Sequence, residues 1–317
     1  MKLADVADRL ADRTGWGEAM VGGLLLGGAT SLSGLATSVA SAWNGLPELA
    51  ISNAAGGIAG QTVFLVVADI TYRRANLEHA AASLENLLQG TILIGCLSLT
   101  FLAMAMPDIA VFGLHPVSYL IIFFYIYGLR VARAAQLDPG WMATKTRLTH
   151  HDEPDGDAQR EPLRRLVLIF VGLALATAAA GYLLSLAAEG AVRTYGLNQG
   201  LLGTYATALL TSLPELVTTI AAVRRGALQL AVGGIIGGNS FDTLFIAASD
   251  AAYGEGSIYA AITGEQTLII ALSVVMTAIL LMGLLRRQRQ GPGHIGFETI
   301  ALLLAYLGGA ALLFWQG

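Results

Sequence analysis

With one cysteine, five histidines and eight prolines among 317 residues, the sequence has little to offer several kinds of chemistry. Cys96 has no second cysteine to pair with, and its place inside an apolar run suits a small buried side chain rather than a redox centre. Charge is also scarce. Asp, Glu, Lys and Arg make up 13% of the chain against 55% hydrophobic residues, and the mean hydropathy is +0.64, too apolar for a soluble domain of this length. The short alternating segments of a membrane β-barrel are missing. The N-terminus, MKLADVADRLADRTGWGEAM, is mixed in charge and amphipathic and has no apolar centre of the kind a cleavable signal peptide carries. No nucleophile and base stand at a usable spacing, so no enzyme is expected. No cofactor and no nucleic-acid partner are expected either.

What the chain does have is long apolar runs. Nine segments are long enough to cross a hydrocarbon core of roughly 30 Å as helices: about 20–43, 48–70, 86–106, 115–134, 163–188, 199–223, 228–252, 266–285 and 296–315. They predict an all-α bundle embedded in the lipid bilayer. Lys and Arg flanking short loops are retained on the cytoplasmic side. An N-in, C-out arrangement places 17 of the 18 basic residues inside and leaves only Arg193 outside. The polar stretch 137–162, with HHDEPDGDAQREP, then reads as a cytoplasmic linker between a first half, 1–136, and a second, 163–317. HHDEPDGD lacks the ordered ligand series of a calcium loop.

Sliding the chain by 181 residues aligns Gly15 to Leu88 with Gly196 to Ile269 without a gap. The matches include Thr30 with Thr211, Ser31 with Ser212, Thr62 with Thr243, Phe64 with Phe245, and Asp69 with Asp250. Matched polar residues inside apolar spans mark a true repeat rather than shared composition. The charge count gives the two copies opposite orientation. Inverted repeats with interrupted helices are a transporter architecture, with the site near the bilayer midplane.

The second copy contains TSLPELVTT at 211–219, and the first contains TSLSGLATS at 30–38. Pro214 is the expected helix break. Its missing N–H and its ring are expected to free carbonyls around Ala208 to Leu210. Thr211, Ser212 and Glu215 add side-chain oxygens, and Thr211 and Glu215 share a helix face. An ionisable residue at this depth is a site by default, bracing of a kinked helix being the competing reading. On the following span Asn239 and Asp242 are i, i+3 neighbours. An oxygen-rich cluster without Cys or a close His suits Ca2+, Na+ or K+ better than Zn2+ or Cu2+.

TSLPELVTTIAAVRRGALQLAVGGIIGGNSFD resembles the second α-repeat of the cation/calcium exchanger superfamily, which includes the sodium/calcium exchangers. The resemblance spans both repeats, at about 22–70 and 203–252, and is degraded in the first. It implies two inverted halves of five helices, ten in all, whereas only about 19 residues precede the first span here. It implies a secondary cation antiporter of the plasma membrane that works by alternating access, with Ca2+, Na+, K+ or H+ as substrates. Glu215 takes the position of a central glutamate, Thr211 that of a neighbouring ligand, and Asp242 the Asn or Asp position. In the first repeat the glutamate position is Gly34, the proline position Ser33 and the Asn or Asp position Gln61, so this copy reads as a partner with hinge and charge removed. Thr30, Ser31, Gln61 and Asn53 are its remaining candidate ligands. Gly57 and Gly238 stand where the family carries serines. Loss of one acid leaves three outcomes open: a divalent exchanger, a monovalent cation or proton exchanger, and a non-transporting ion sensor. Pro47 and Glu48 are expected to start a helix. Asp69 and Asp250, near opposite membrane faces, are expected to cap or pack helices and so support the site from outside its ligands.

Overall fold

The computed structural model describes residues 2–14, 22–72, 75–138, 140–141, 162–288 and 296–316. Most of the expected linker, 142–161 with HHDEPDGD, lies outside the described residues. The principal helices are α1 (Lys2–Thr14), α2 (Leu32–Trp43), α3 (Pro47–Tyr72), α4 (Leu77–Ala81), α5 (Leu84–Met104), α6 (Pro116–Leu137), α7 (Leu163–Tyr195), α8 (Leu213–Arg225), α9 (Leu228–Ala252), α10 (Gly264–Arg286) and α11 (Phe297–Gln316). Seven of these are long and apolar enough to cross a membrane: α3, α5, α6, α7, α9, α10 and α11. An eighth crossing is bent by 42° between Gln199–Thr211 and Leu213–Arg225. The segment 22–43 is interrupted at Ser31 and is not one of these, so the described residues give seven crossings, or eight with the bent pair, where the sequence reading has nine. The chain is an all-α integral membrane protein built as an inverted-repeat bundle. Pro47 and Glu48 do open α3, where a proline costs no helical hydrogen bond.

The 181-residue offset governs more of the chain than the sequence identities reveal. It carries the start of α3 onto that of α9, α6 onto α11, and the short α4 onto the single turn Ile258–Ala261. Each repeat also opens its broken helix with a π-helical turn, Gly22–Gly27 in one and Leu202–Thr207 in the other. Such wide turns loosen the ladder next to a functional break.

The centre of the bundle is made by α3 and α9. Their apolar windows are 78% and 89% buried, against 17–44% for the other five spans, so these two face protein while the rest face lipid on one side. The broken helix of each repeat packs on the long helix of the other, with glycine setting the distance. A Cβ on Gly27 would stand 2.7 Å from the Gly238 nitrogen, nearer than any real side chain approaches.

The break in the first repeat survives without its proline, which corrects the expectation that the hinge was lost. Ser31 and Ser212 both sit between helical pieces with ψ near zero, −9° and 0°. Ser31 N donates to Gly27 O at 2.9 Å and Ser212 N to Ala208 O at 3.1 Å, the same bond in each copy. Tertiary contacts hold the first break in place of the ring. From α7, the Thr177 hydroxyl donates to Ala29 O at 3.0 Å. Gly181 lets α7 lie against the Ser33 backbone, where a Cβ would be 2.0 Å from Ser33 O, and Thr37 Oγ1 donates to Gly181 O at 2.9 Å.

Asp69 and Asp250 take matching structural roles. Asp69 Oδ1 accepts from Leu77 N at 2.8 Å, and its Oδ2 accepts from Gly296 N at 3.2 Å and Thr299 Oγ1 at 2.7 Å. Asp250 Oδ1 accepts from Ile258 N at 3.0 Å, and its Oδ2 accepts from His115 N and Ser118 Oγ, both at 2.8 Å. All three donors shift by the repeat offset. Each aspartate therefore closes its own loop and anchors the start of the other repeat's last helix.

Candidate ion-binding site

Where the two breaks meet the two long helices, Ser31, Gly34, Asn53, Gly57, Gln61, Thr211, Ser212, Glu215, Asp242 and Phe245 line one closed cavity. In this conformation it holds no space large enough for a water molecule. The bend at Ser212 and Pro214 turns Glu215 inward from the first turn of α8, and Glu215 is 2% exposed. Asp242 and Gln61 face each other from matched positions on α9 and α3.

The amide donors of the cluster and the Ser31 hydroxyl are engaged. Gln61 Nε2 donates to Asp242 Oδ2 at 2.7 Å and to Ser212 Oγ at 3.2 Å. Ser31 Oγ donates to Glu215 Oε1 at 3.3 Å. Asn53 Nδ2 donates to Gly34 O at 3.1 Å and Ser38 Oγ at 2.9 Å. What remains unpaired is all acceptor: Glu215 Oε2, Asp242 Oδ1, Asn53 Oδ1 and Gln61 Oε1 are buried without a partner. Buried polar atoms are normally satisfied, so a concentration of orphan oxygens asks for a group that accepts lone pairs. Neither acid is ion-paired with a basic side chain among the described residues. Two such carboxylates demand a cation or protons.

Several sequence-predicted residues stand elsewhere. Thr30 stands beside the lining: its hydroxyl donates to Leu26 O and Gly27 O at 2.9 and 3.0 Å and also lies within hydrogen-bonding reach of the Glu215 carboxylate. Asn239 also lies off it, donating Nδ2 to Thr62 Oγ1 at 2.9 Å, because i, i+3 places it on the flank of the Asp242 face. Its Oδ1 is also buried without a partner. Asp69 and Asp250 are outside the lining as well. The carbonyls expected to be freed by Pro214 are not all open: Ala208 O accepts from Ser212 N and from Thr211 Oγ1 at 3.1 Å each, because the bend is shallow enough to keep that turn closed. Thr211 O is taken by Ser33 Oγ at 2.8 Å, across the repeat interface.

Sequence reasoning missed Phe245; the two glycines stand as their positions in the family pattern imply. A Cβ on Gly57 would stand 3.7 Å from both Asp242 Oδ2 and Ser212 Oγ, and one on Gly238 3.5 Å from Gln61 Oε1. Both glycines therefore face the site and contribute no oxygen. Among the described residues no group of three or more His, Cys, Asp and Glu is placed to hold a metal. A cation here would use two carboxylates and neutral amide and hydroxyl oxygens, a hard-ion ligand set.

Known proteins share this pattern to different extents. Residues 2–132 and 165–315 match the sequence profile described as sodium/calcium exchanger protein. The putative antiporter CaxA of Alkalimonas amylolytica is 34% identical over 155 residues, 47% of this chain and 45% of that protein. Inner membrane protein YrbG of Escherichia coli (strain K12) is 31% identical over 121 residues, 38% and 35% of the two chains. Each match spans less than half the length of the curated relative. Solved structures of the sodium-calcium exchanger NCX_Mj share the fold. The form soaked with zero Na+ and Ca2+ superposes with a TM-score of 0.64 at 19% identity, over 98% of this chain and 91% of that one. The form soaked with 10 mM Na+ and zero Ca2+ gives 0.63 at 18%, over 98% and 92%. With profile, fold and both repeats in agreement, the chain belongs to the sodium/calcium exchanger protein family.

Proposed function

We propose that this protein is a secondary active cation antiporter in which Glu215 and Asp242 carry the ion at the repeat interface. The observation that carries the reading is the set of orphan acceptor oxygens, Glu215 Oε2, Asp242 Oδ1, Asn53 Oδ1 and Gln61 Oε1, around one closed cavity. Access alternates as the two inverted halves rock about that cavity. An ion entering from one side replaces a counter-ion or proton released to the other. Competition for the same carboxylates is sufficient to couple the two fluxes. The membrane is the cell membrane, with the N-terminus and linker cytoplasmic and the C-terminus outside. The family match and the description of CaxA as a putative antiporter support the class.

Flux into proteoliposomes under Ca2+, Na+, K+ and pH gradients tests the proposal. Glu215→Gln is expected to abolish the ion-driven exchange, and equal flux in the variant would overturn the site. A second reading, a non-transporting ion sensor, draws on the missing first-repeat acid at Gly34. Saturable Glu215-dependent binding without flux in any gradient would select it.

A further inference from the structure

The repeat offset pairs Glu215 with Gly34, and the structure shows what fills the missing side chain's room. A Cβ built on Gly34 would lie 2.8 Å from Phe245 Cε2, a separation that real side chains do not show. Phe245 is 2% exposed and braced edge-on by Phe241, with ring centroids 5.9 Å apart at 87°. It follows Asp242 by three residues on α9, so one helix supplies both the acid and the ring to the cavity lining. Its counterpart Phe64 behaves differently. That ring belongs to an apolar cluster with Leu65, Ala68 and Ile235 and does not line the cavity, whose wall at the matched point is Glu215 itself.

We propose that Phe245 is a specificity-determining residue: its ring stands in place of a first-repeat carboxylate, closes one side of the ion site to oxygen ligands, and sets the site for a monovalent cation over Ca2+. The inference rests on the reading of the cavity as the ion site. Ca2+ takes six to eight oxygens to offset its dehydration. The side chains here leave four open oxygens in the lining, with Asp242 Oδ2 already engaged by the Gln61 amide at 2.7 Å. Because the cost of dehydration grows with the square of the charge, this shortfall penalises a divalent ion far more than Na+ or K+.

Four proteins read the proposal: wild type, Gly34→Glu, Phe245→Ala and the double variant. Ion-dependent thermal stabilisation of purified protein is measured with NaCl, KCl and CaCl2 against choline chloride, and Glu215→Gln serves as the ion-site control. Wild type is expected to be stabilised by Na+ or K+ well below the concentration at which Ca2+ acts. Gly34→Glu alone is expected to gain no Ca2+ affinity or to fold poorly, because the ring occupies its place. Adding Phe245→Ala should restore folding and tighten Ca2+ binding by roughly tenfold or more, as ligand charge count rises. Phe245→Ala by itself is expected to lower the preference for monovalent ions by admitting water ligands on that side. A wild type that prefers Ca2+, a Gly34→Glu single variant that tightens Ca2+ as much as the double, or an unchanged ion preference in Phe245→Ala would each overturn the proposal. Failure of the ion site as such looks different: no ion stabilises wild type beyond Glu215→Gln, and both readings fall together.

Discussion

At the residue scale, Gln61 decides how the carboxylates tolerate each other. It stands at the position that Asp242 holds in the other repeat, and its amide gives that acid a donor at 2.7 Å where a second acid would repel. Gln61→Leu is expected to lower stability by about 1–3 kcal/mol, the cost of a buried acceptor left without its donor. The change would be read as a lower Tm in choline buffer. Glu215 was legible in the sequence because a carboxylate beside a proline inside an apolar run is too costly to bury without a use. Phe245 was not, because a phenylalanine in a membrane span is ordinary packing until its neighbour proves to be a glycine 181 residues from a glutamate. Thr30 and Asn239 stand beside the lining rather than in it. Helical spacing gave each a face, but which atom that face meets depends on the crossing of helices distant in sequence.

At the element scale, two helices with different chemistry are interrupted at matched residues, Ser31 and Ser212. Pro214 supplies one break from within, whereas Ser31 is held from outside by α7. Gly181→Leu should therefore damage the proline-free break: its side chain meets the Ser33 backbone, and a loss of several kcal/mol, about 3 or more, or outright misfolding is expected. Gly172→Ala, on the same helix with nothing within 4 Å, should leave stability within about 0.5 kcal/mol of wild type. The two aspartate anchors offer a symmetrical test. Asp69→Ala and Asp250→Ala each strand backbone donors and are expected to cost similar amounts, about 2–4 kcal/mol. Markedly unequal losses in matched denaturation curves would mean that the two anchors are not equivalent.

The amphipathic α1 is tied down more weakly. Asp5 pairs with Arg225 at 2.6 Å and with Arg9 one turn away. Burial works against ionisation of Asp5, but the two guanidinium groups outweigh it and hold the carboxyl below its ordinary value. The stabilisation is therefore present above the usual carboxylate range, about pH 4, and fades as pH falls through the lowered value. Since the pair is partly exposed, it contributes about 1 kcal/mol or less. Asp5→Asn should remove that part of the acid-induced loss of α1 docking, measured as protection of the N-terminus from protease between about pH 7 and 3.

At the scale of the whole molecule, composition, hydrophobic runs and the 181-residue repeat made the bundle legible, because apolar length and matched polar residues report directly on membrane helices. The repeat's full extent was hidden. Beyond residue 269 the correspondence persists as geometry, with Ser118 and Thr299 serving matched aspartates although neither residue type nor surroundings announced it. Since each aspartate anchors a helix of the opposite half, separate expression of 1–141 and 162–317 is expected to give unstable products. Co-expression of the two is expected to yield a complex that co-purifies and retains ion-dependent stabilisation. Recovery of either half alone as a monodisperse protein would contradict the interlock.

The pairing of Gly34 with Phe245 also bears on how such a site can arise. In an assembly of two identical half-length chains, every substitution strikes both copies, so losing one glutamate means losing both. A single continuous chain removes that constraint. One half can keep the acid while the other gives it up, and a phenylalanine common to both halves can fill the gap in one of them alone. Covalent linkage of the halves thus opens ion sites of intermediate charge that no symmetric dimer can encode.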